Sequence, residues 1–159
     1  PAYGRNGIRA YRSSDAPCPQ FYAMEYDIFK VGGILIRGRA LLVEKSNGKD
    51  FFTAPGGKVE EGEKPNDALI RELDEEFGIA VAEQDLEPFG TFYAKAAGNE
   101  SKIVRMDVST VKHWQGEPTP GREVEHIAWI TSAIPEGMRV GSIFEYEVIP
   151  RLKERGLID

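Results

Sequence analysis

The chain has 159 residues, 41% of them apolar, a formal net charge of −6 and a pI near 5.1, which suits one hydrophobic core and falls short of two ordinary domains. The acidic balance argues against a long nucleic-acid partner, which needs a basic stripe, and no apolar run approaches the ~18 residues of a membrane span. A single cysteine, Cys18, excludes an internal disulfide or a cysteine metal cluster, and with no apolar leader at the N-terminus the expected setting is the cytoplasm.

Residues 1–27 carry Arg5, Arg9, Arg12 and five aromatics without sustained periodicity. They read as an N-terminal arm, free to add an edge strand or to reach a partner subunit in a homodimer. The domain proper spans residues 28–159. Ile28 to Arg37 and Ala40 to Lys45 are β-rich runs separated by Gly38, which predicts a hairpin. After the Asn47-Gly48 turn, Phe51 to Thr53 reads as a short strand delivering the Pro55-Gly56-Gly57 turn, where glycines let backbone approach a metal or a phosphate. Pro65 opens a helix at its first turn and Gly78 closes it at the left-handed position. Leu69, Ile70, Leu73 and Phe77 share the apolar face of that helix. Phe89 to Ala96 and Lys102 to Lys112 read as strands around the Gly98-Asn99 turn, and His126 to Thr131 as another, with Trp129 in the core. Ser142 and Glu145 resemble a capping box that starts a C-terminal helix, which Pro150 should kink or divide. No internal repeat or low-complexity tract is present. Strands, helix, strands, helix is the order of an α/β fold with a mixed β-sheet between helices.

The predicted central helix carries Glu72, Glu75 and Glu76 at i, i+3 and i+4, so that the three carboxylates point the same way and repel one another. A hard dication with oxygen ligands, Mg²⁺ or Mn²⁺, supplies the compensating charge. Seen alone, such a cluster is usually solvated surface. Here Gly57, Glu63, Arg71, Glu72, Leu73, Glu75, Glu76, Gly78 and Ile79 fall at fixed offsets over one uninterrupted segment, and these residues resemble the signature of the Nudix hydrolases without a gap.

That resemblance implies the Nudix α/β/α sandwich and an Mg²⁺ site built from Glu72, Glu75 and Glu76 with a backbone carbonyl of Gly56 or Gly57. It implies that Arg71 orients the acids, since a guanidinium fixes a carboxylate's direction more tightly than an ammonium does, and that Glu63 supports it. One departure is Lys64, where family members often have Ser or Thr. Lysine cannot accept the helix N-terminal N–H groups, which leaves Asn66, Asp67 or water to do so.

Metal ions on a phosphoanhydride neutralise its charge and place a water in line with the leaving group, so hydrolysis of a diphosphate linkage is the implied reaction. A carboxylate must take the water's proton. Glu75 or Glu76 could do so, and so could a residue outside the box. The stretch Trp114-Gln115-Gly116-Glu117-Pro118, with Gly121-Arg122-Glu123 behind it, looks like the loop of MutT-type nucleoside triphosphate pyrophosphohydrolases, and Glu123, with Glu125 as its rival, matches the glutamate that approaches the metal. The proline of ADP-ribose-hydrolysing relatives is replaced here by Ala94, and the tyrosine of dinucleoside-polyphosphate relatives by Lys95, Ala96 or Ala97. A nucleoside triphosphate, canonical or oxidised, is therefore the leading substrate, with ADP-ribose, dinucleoside polyphosphates and sugar nucleotides as alternatives and a non-catalytic nucleotide sensor as the reading from another class. Phe51, Tyr93 and Trp114 are candidates to stack on a base, and Lys58 is a candidate to meet the phosphates. His113 and His126 complete no triad or zinc site.

Overall fold

The computed structural model describes residues 24–159; the N-terminal arm through residue 23, Cys18 included, lies outside the described residues. Strand β1 (Ile28–Ile34) is the hub of a four-stranded sheet ordered β4-β1-β6-β5, with β4 at Gly56–Lys58, β5 at Leu86–Ala96 and β6 at Asn99–Val111. It runs antiparallel to β4 and parallel to β6, so the sheet is mixed. A second, antiparallel sheet joins β2 (Ile36–Arg37), β3 (Ala40–Ser46) and β7 (Val124–Ile130) in the order β2-β3-β7. Helix α1 (Pro65–Phe77) covers one side, and the C-terminal helix α2 (Ile149–Glu154) the other.

Two apolar cores follow from this layering. Val31, Leu35 and Leu42 meet Leu69, Leu73, Phe77 and Ile79 of the α1 layer, whereas Ile34, Phe92, Met106 and Val108 meet Phe144, Val148, Leu152 and Ile158 of the C-terminal layer. A strand buried on both faces reads as a continuous apolar run rather than an alternation, which is why β1 and β3 are so apolar. The result is the expected α/β/α arrangement with a mixed sheet.

Helix α1 ends where its residues dictate. Pro65 occupies the first turn, and Gly78 adopts φ 65°, its N–H donating to the Asp74 carbonyl at 3.0 Å. Lys64 precedes the helix in extended conformation and no side chain caps it; Asn66 instead reaches Glu83, at 3.5 Å.

Three local expectations are corrected. The run 28–37 is not one arm of a hairpin: it breaks at the fully buried Leu35, whose carbonyl accepts the Leu42 N–H at 2.9 Å, and only β2 pairs with β3. Phe51 to Thr53 makes isolated bridges, Thr53 to Glu44 and Phe52 to Val140, because consecutive residues pair with segments on opposite sides and Pro55 has no N–H to extend either ladder. At the C-terminus, the Phe144 and Glu145 N–H groups both donate to the Gly141 carbonyl, and no side-chain cap forms. Pro150 is accommodated by a wide turn over Phe144–Val148, in which the Ile149 N–H reaches back to the Phe144 carbonyl; a π-type turn tolerates the missing donor that an α-turn would need.

Candidate active site

The Gly56-Gly57 segment lies as strand β4 against β1, with Gly56 opposite Gly32 and Gly57 opposite Val31. Gly56, at φ 151°, takes a conformation side chains rarely adopt, and a Cβ on it would run into the Val31 carbonyl. A Cβ on Gly57 would strike the Glu72 carboxyl group. The glycine pair therefore brings helix and strand close enough for the Glu72 carboxylate to rest on bare backbone.

Arg71 organises the acids beside it. Its Nε and Nη2 donate to the two carboxylate oxygens of Glu63, at 2.8 and 3.1 Å, and its Nη1 donates to Glu72 at 2.9 Å and to Glu75 at 3.3 Å. Nη2 also donates to the Lys58 carbonyl at 3.3 Å, which ties the helix to β4. The bidentate guanidinium, with the Glu60 N–H behind it, holds the Glu63 carboxyl below the usual carboxylate range. Arg71, Glu63 and Glu72 are mostly covered, while the Glu75 side chain is 60% exposed, so its bond to Arg71 is the weakest of the set.

Glu72 and Glu76 both line a cleft of about 410 Å³, whereas the more exposed Glu75 is absent from its lining and turns to Arg71, which Glu72 also meets. Among the described residues no three carboxylate, histidine or cysteine side chains are gathered as a preformed metal cage. Glu76 nonetheless stands among several other acids. Burial, followed by the negative charges of Glu72, Glu44, Glu123 and Glu75, pushes its carboxyl up to about 7. Negative charge gathered this closely, met only in part by Arg71 and Lys30, fits a hard dication with oxygen ligands such as Mg²⁺ or Mn²⁺.

Glu123 reaches the same cleft because its loop is tied at both ends. The Thr119 N–H donates to the Phe77 carbonyl at 3.1 Å and the Gly121 N–H to the Glu76 carbonyl at 2.7 Å, while the Asn47 backbone and side-chain N–H groups bind the Glu123 and Arg122 carbonyls at 2.9 and 2.6 Å. Glu125 is paired with Lys45 at 3.2 Å instead and is absent from the cleft lining.

The remaining sequence candidates divide. Phe51 and Lys58 line the cleft. Tyr93 does not: it faces a separate, larger depression with Thr91 and Asp107, since Ala94, its neighbour of opposite facing, takes the cleft side of β5. Trp114 is also elsewhere. It packs on the α1 core near Trp129, with the Arg37 guanidinium 5.8 Å from the Trp114 ring centroid and 4.7 Å from that of Trp129, and Arg37 bonded to Glu117. The tryptophan stretch is thus a packing and cation–π feature, and the strand tryptophan is half-buried rather than fully internal.

Among the cleft residues that escaped the sequence reading are Lys30 and Glu44. Glu44 is 3% exposed, the one buried charged side chain among the described residues. Burial pushes its carboxyl up to about 7, against the pull of the Ser46 hydroxyl, which donates to it at 3.1 Å, and of Lys30. The available signal was a carboxylate closing the apolar run Ala40-Leu41-Leu42-Val43 where the strand is still buried.

A fold with this glycine-strapped helix and acid-lined cleft defines a class, and the comparisons give it a family. The NUDIX domain model matches residues 29–144. The chain is 37% identical over 114 residues to the 8-oxo-dGTP diphosphatase of Haemophilus influenzae, covering 67% of this chain and 79% of that protein. It is 33% identical over 98 residues to the 8-oxo-dGTP diphosphatase of Escherichia coli, covering 62% and 69%. A MutT NUDIX hydrolase structure from Burkholderia pseudomallei superposes with a TM-score of 0.63 at 20% identity, covering 80% of this chain and 95% of that one, which speaks to the fold. The chain belongs to the Nudix family, as a MutT-like pyrophosphohydrolase.

Proposed function

We propose that the protein hydrolyses a nucleoside triphosphate, canonical or oxidised, between its α and β phosphates, releasing a nucleoside monophosphate and pyrophosphate, with Mg²⁺ as its cofactor and Mn²⁺ as a substitute. The observation that carries this reading is the crowding of Glu44, Glu72, Glu75 and Glu123 around the half-buried Glu76, beside a cleft that Phe51, Met106 and Phe144 also line. Glu72, Glu75 and Glu76, with a carbonyl of Gly56 or Gly57, would hold the metal. When bound, it neutralises phosphate charge and polarises the scissile phosphoanhydride.

The chain's own groups do the rest. Arg71 fixes the directions of Glu63 and Glu72 and steadies the exposed Glu75 more weakly, which limits reorientation of these acids during turnover. Glu123, held on its latched loop across from Glu76, accepts the proton of the attacking water. Lys58 meets the phosphates from β4. Phe51 offers an aromatic face to the base. The 8-oxo-dGTP diphosphatases among the relatives support a purine triphosphate and an oxidised one in particular. A cytoplasmic location suits such a substrate.

The test is a panel of canonical and oxidised nucleoside triphosphates, ADP-ribose, dinucleoside polyphosphates and sugar nucleotides, with products separated by chromatography. Pyrophosphate with a nucleoside monophosphate is the expected pair. Ribose 5-phosphate with AMP, from ADP-ribose as the preferred substrate, would replace this reading.

A further inference from the structure

Lys30 stands at an unusual place for an unpaired cation. The β1–β4 register sets it directly opposite Lys58, so the two ammonium groups share one face of the sheet, a like-charge arrangement that destabilises a strand pair unless something else compensates it. Lys49 faces the same cleft. Among the described residues Lys45, Lys95 and Lys112 each form an ion pair; Lys30, Lys49 and Lys58 form none, nor do Lys64, Lys102 and Lys153, but of these unpaired lysines only the first three gather in one cleft. Burial, then Lys49 and Lys58, lower the Lys30 pKa, while Glu44 and Glu76 act in the opposite direction. The lysines share the cleft with Glu44, Glu72, Glu76 and Glu123, yet among the described residues they form no ion pair with them, which leaves their N–H donors available to an anion.

The strand order says which anion. On its other side Lys30 is in register with Met106 of β6, and Met106, Val104 and Ala94 form the apolar floor of the cleft. Across the sheet the sequence is therefore apolar floor on β5 and β6, Lys30 on β1, Lys58 on β4, and then Glu72 behind Gly57. Neighbouring strands lie ~4.8 Å apart, so the Lys30 stem borders the apolar floor directly and Lys58 lies one strand further from it, which sets Lys30 rather than Lys58 beside the phosphate nearest the sugar.

We infer that Lys30 is a substrate-positioning residue that grips the α-phosphate of the bound nucleotide and, after cleavage, holds the nucleoside monophosphate product. This rests on the nucleotide reading of the cleft and adds to it the residue that distinguishes a phosphorylated ligand from its nucleoside. Glu44 is the buried countercharge that keeps the lysine stem in the cleft.

Isothermal titration calorimetry with chelator present tests it without turnover. The probes are dAMP, dCMP, dGMP, dTMP and the oxidised guanine monophosphate, with the nucleoside corresponding to the tightest of them and inorganic pyrophosphate as comparisons. Loss of one charge-assisted hydrogen bond predicts that Lys30→Met weakens binding of the monophosphate by about tenfold or more, leaves the nucleoside unchanged, and is rescued to near wild type by Lys30→Arg. Lys30→Gln serves in its place should the methionine variant not fold. Unchanged monophosphate binding, an equal loss for the nucleoside, or no binding of any monophosphate by the wild type would each overturn the assignment. The two readings fail separately. Pyrophosphate release from a triphosphate with Lys30-independent product binding removes only this inference, and Lys30-dependent monophosphate binding without such release removes only the proposed reaction.

Discussion

Glu44 and Glu76 show how much of the site's character comes from charge placed out of water. Both carboxyls are pushed from 4.5 to about 7, and in both burial is the largest cause. A folded-state pKa raised above the unfolded value means that the folded protein binds the proton more tightly, so stability is full below 4.5 and is lost as pH rises through about 7. For Glu44 that loss is at most about 3 kcal/mol. Glu44→Gln mimics the protonated acid. With chelator present, thermal unfolding should show the variant equal to wild type in acid and more stable above neutral pH, by up to about 3 kcal/mol; a difference that does not change with pH would contradict the assignment. Gly57 makes the complementary point about space. Because a Cβ there strikes the Glu72 carboxyl, Gly57→Ala should cut turnover by about 100-fold, the scale of an ångström's misplacement at a reacting centre, with the fold retained by circular dichroism.

At the scale of elements, α1 is both scaffold and site. Leu69, Leu73 and Phe77 anchor it while Glu72 and Glu76 face the acid cluster, so the helix cannot shift without moving the chemistry. Leu73 is fully buried, and Leu73→Ala should cost about 2–5 kcal/mol in urea denaturation; a loss well under that range would mean the helix is held mainly through Arg71. The helix was legible because each of its signals is local. Pro65 and Gly78 mark its ends, and the apolar stripe and the spacing of the acids follow from its period. The strands were legible as segments, and the pairs across the Gly38 and Gly98 turns with them, yet the longer-range pairing was not. The break at Leu35 and the divided allegiance of Phe52 and Thr53 depend on which distant backbone offers a partner, which no local pattern encodes. The same holds for the site. Glu72, Glu76 and Gly57 were readable from the box, Glu123 from its loop, and Phe51 from its place before the turn. Lys30 and Glu44 became visible only when the sheet set β1 beside β4 and folded β3 over the cleft. Trp114 misled because an aromatic beside a polar loop looks alike whether it faces a ligand or an arginine.

At the scale of the molecule, the cleft draws its walls from both sheets, from α1 and from the start of the C-terminal helix. Both cores contribute to it, Val31 from one and Met106 and Phe144 from the other, so its lining is apolar as well as acidic. No helix among the described residues is long and apolar enough to cross a membrane. The central claim is that the carboxylate crowd around Glu76 exists to hold a catalytic dication against a phosphoanhydride. The most direct measurement is the Mg²⁺-dependent turnover of a nucleoside triphosphate by Glu76→Gln, which keeps size and removes one anionic ligand. The account predicts a fall of about two orders of magnitude or more, with thermal stability equal to or above that of wild type; turnover at the wild-type rate in the folded variant would contradict it.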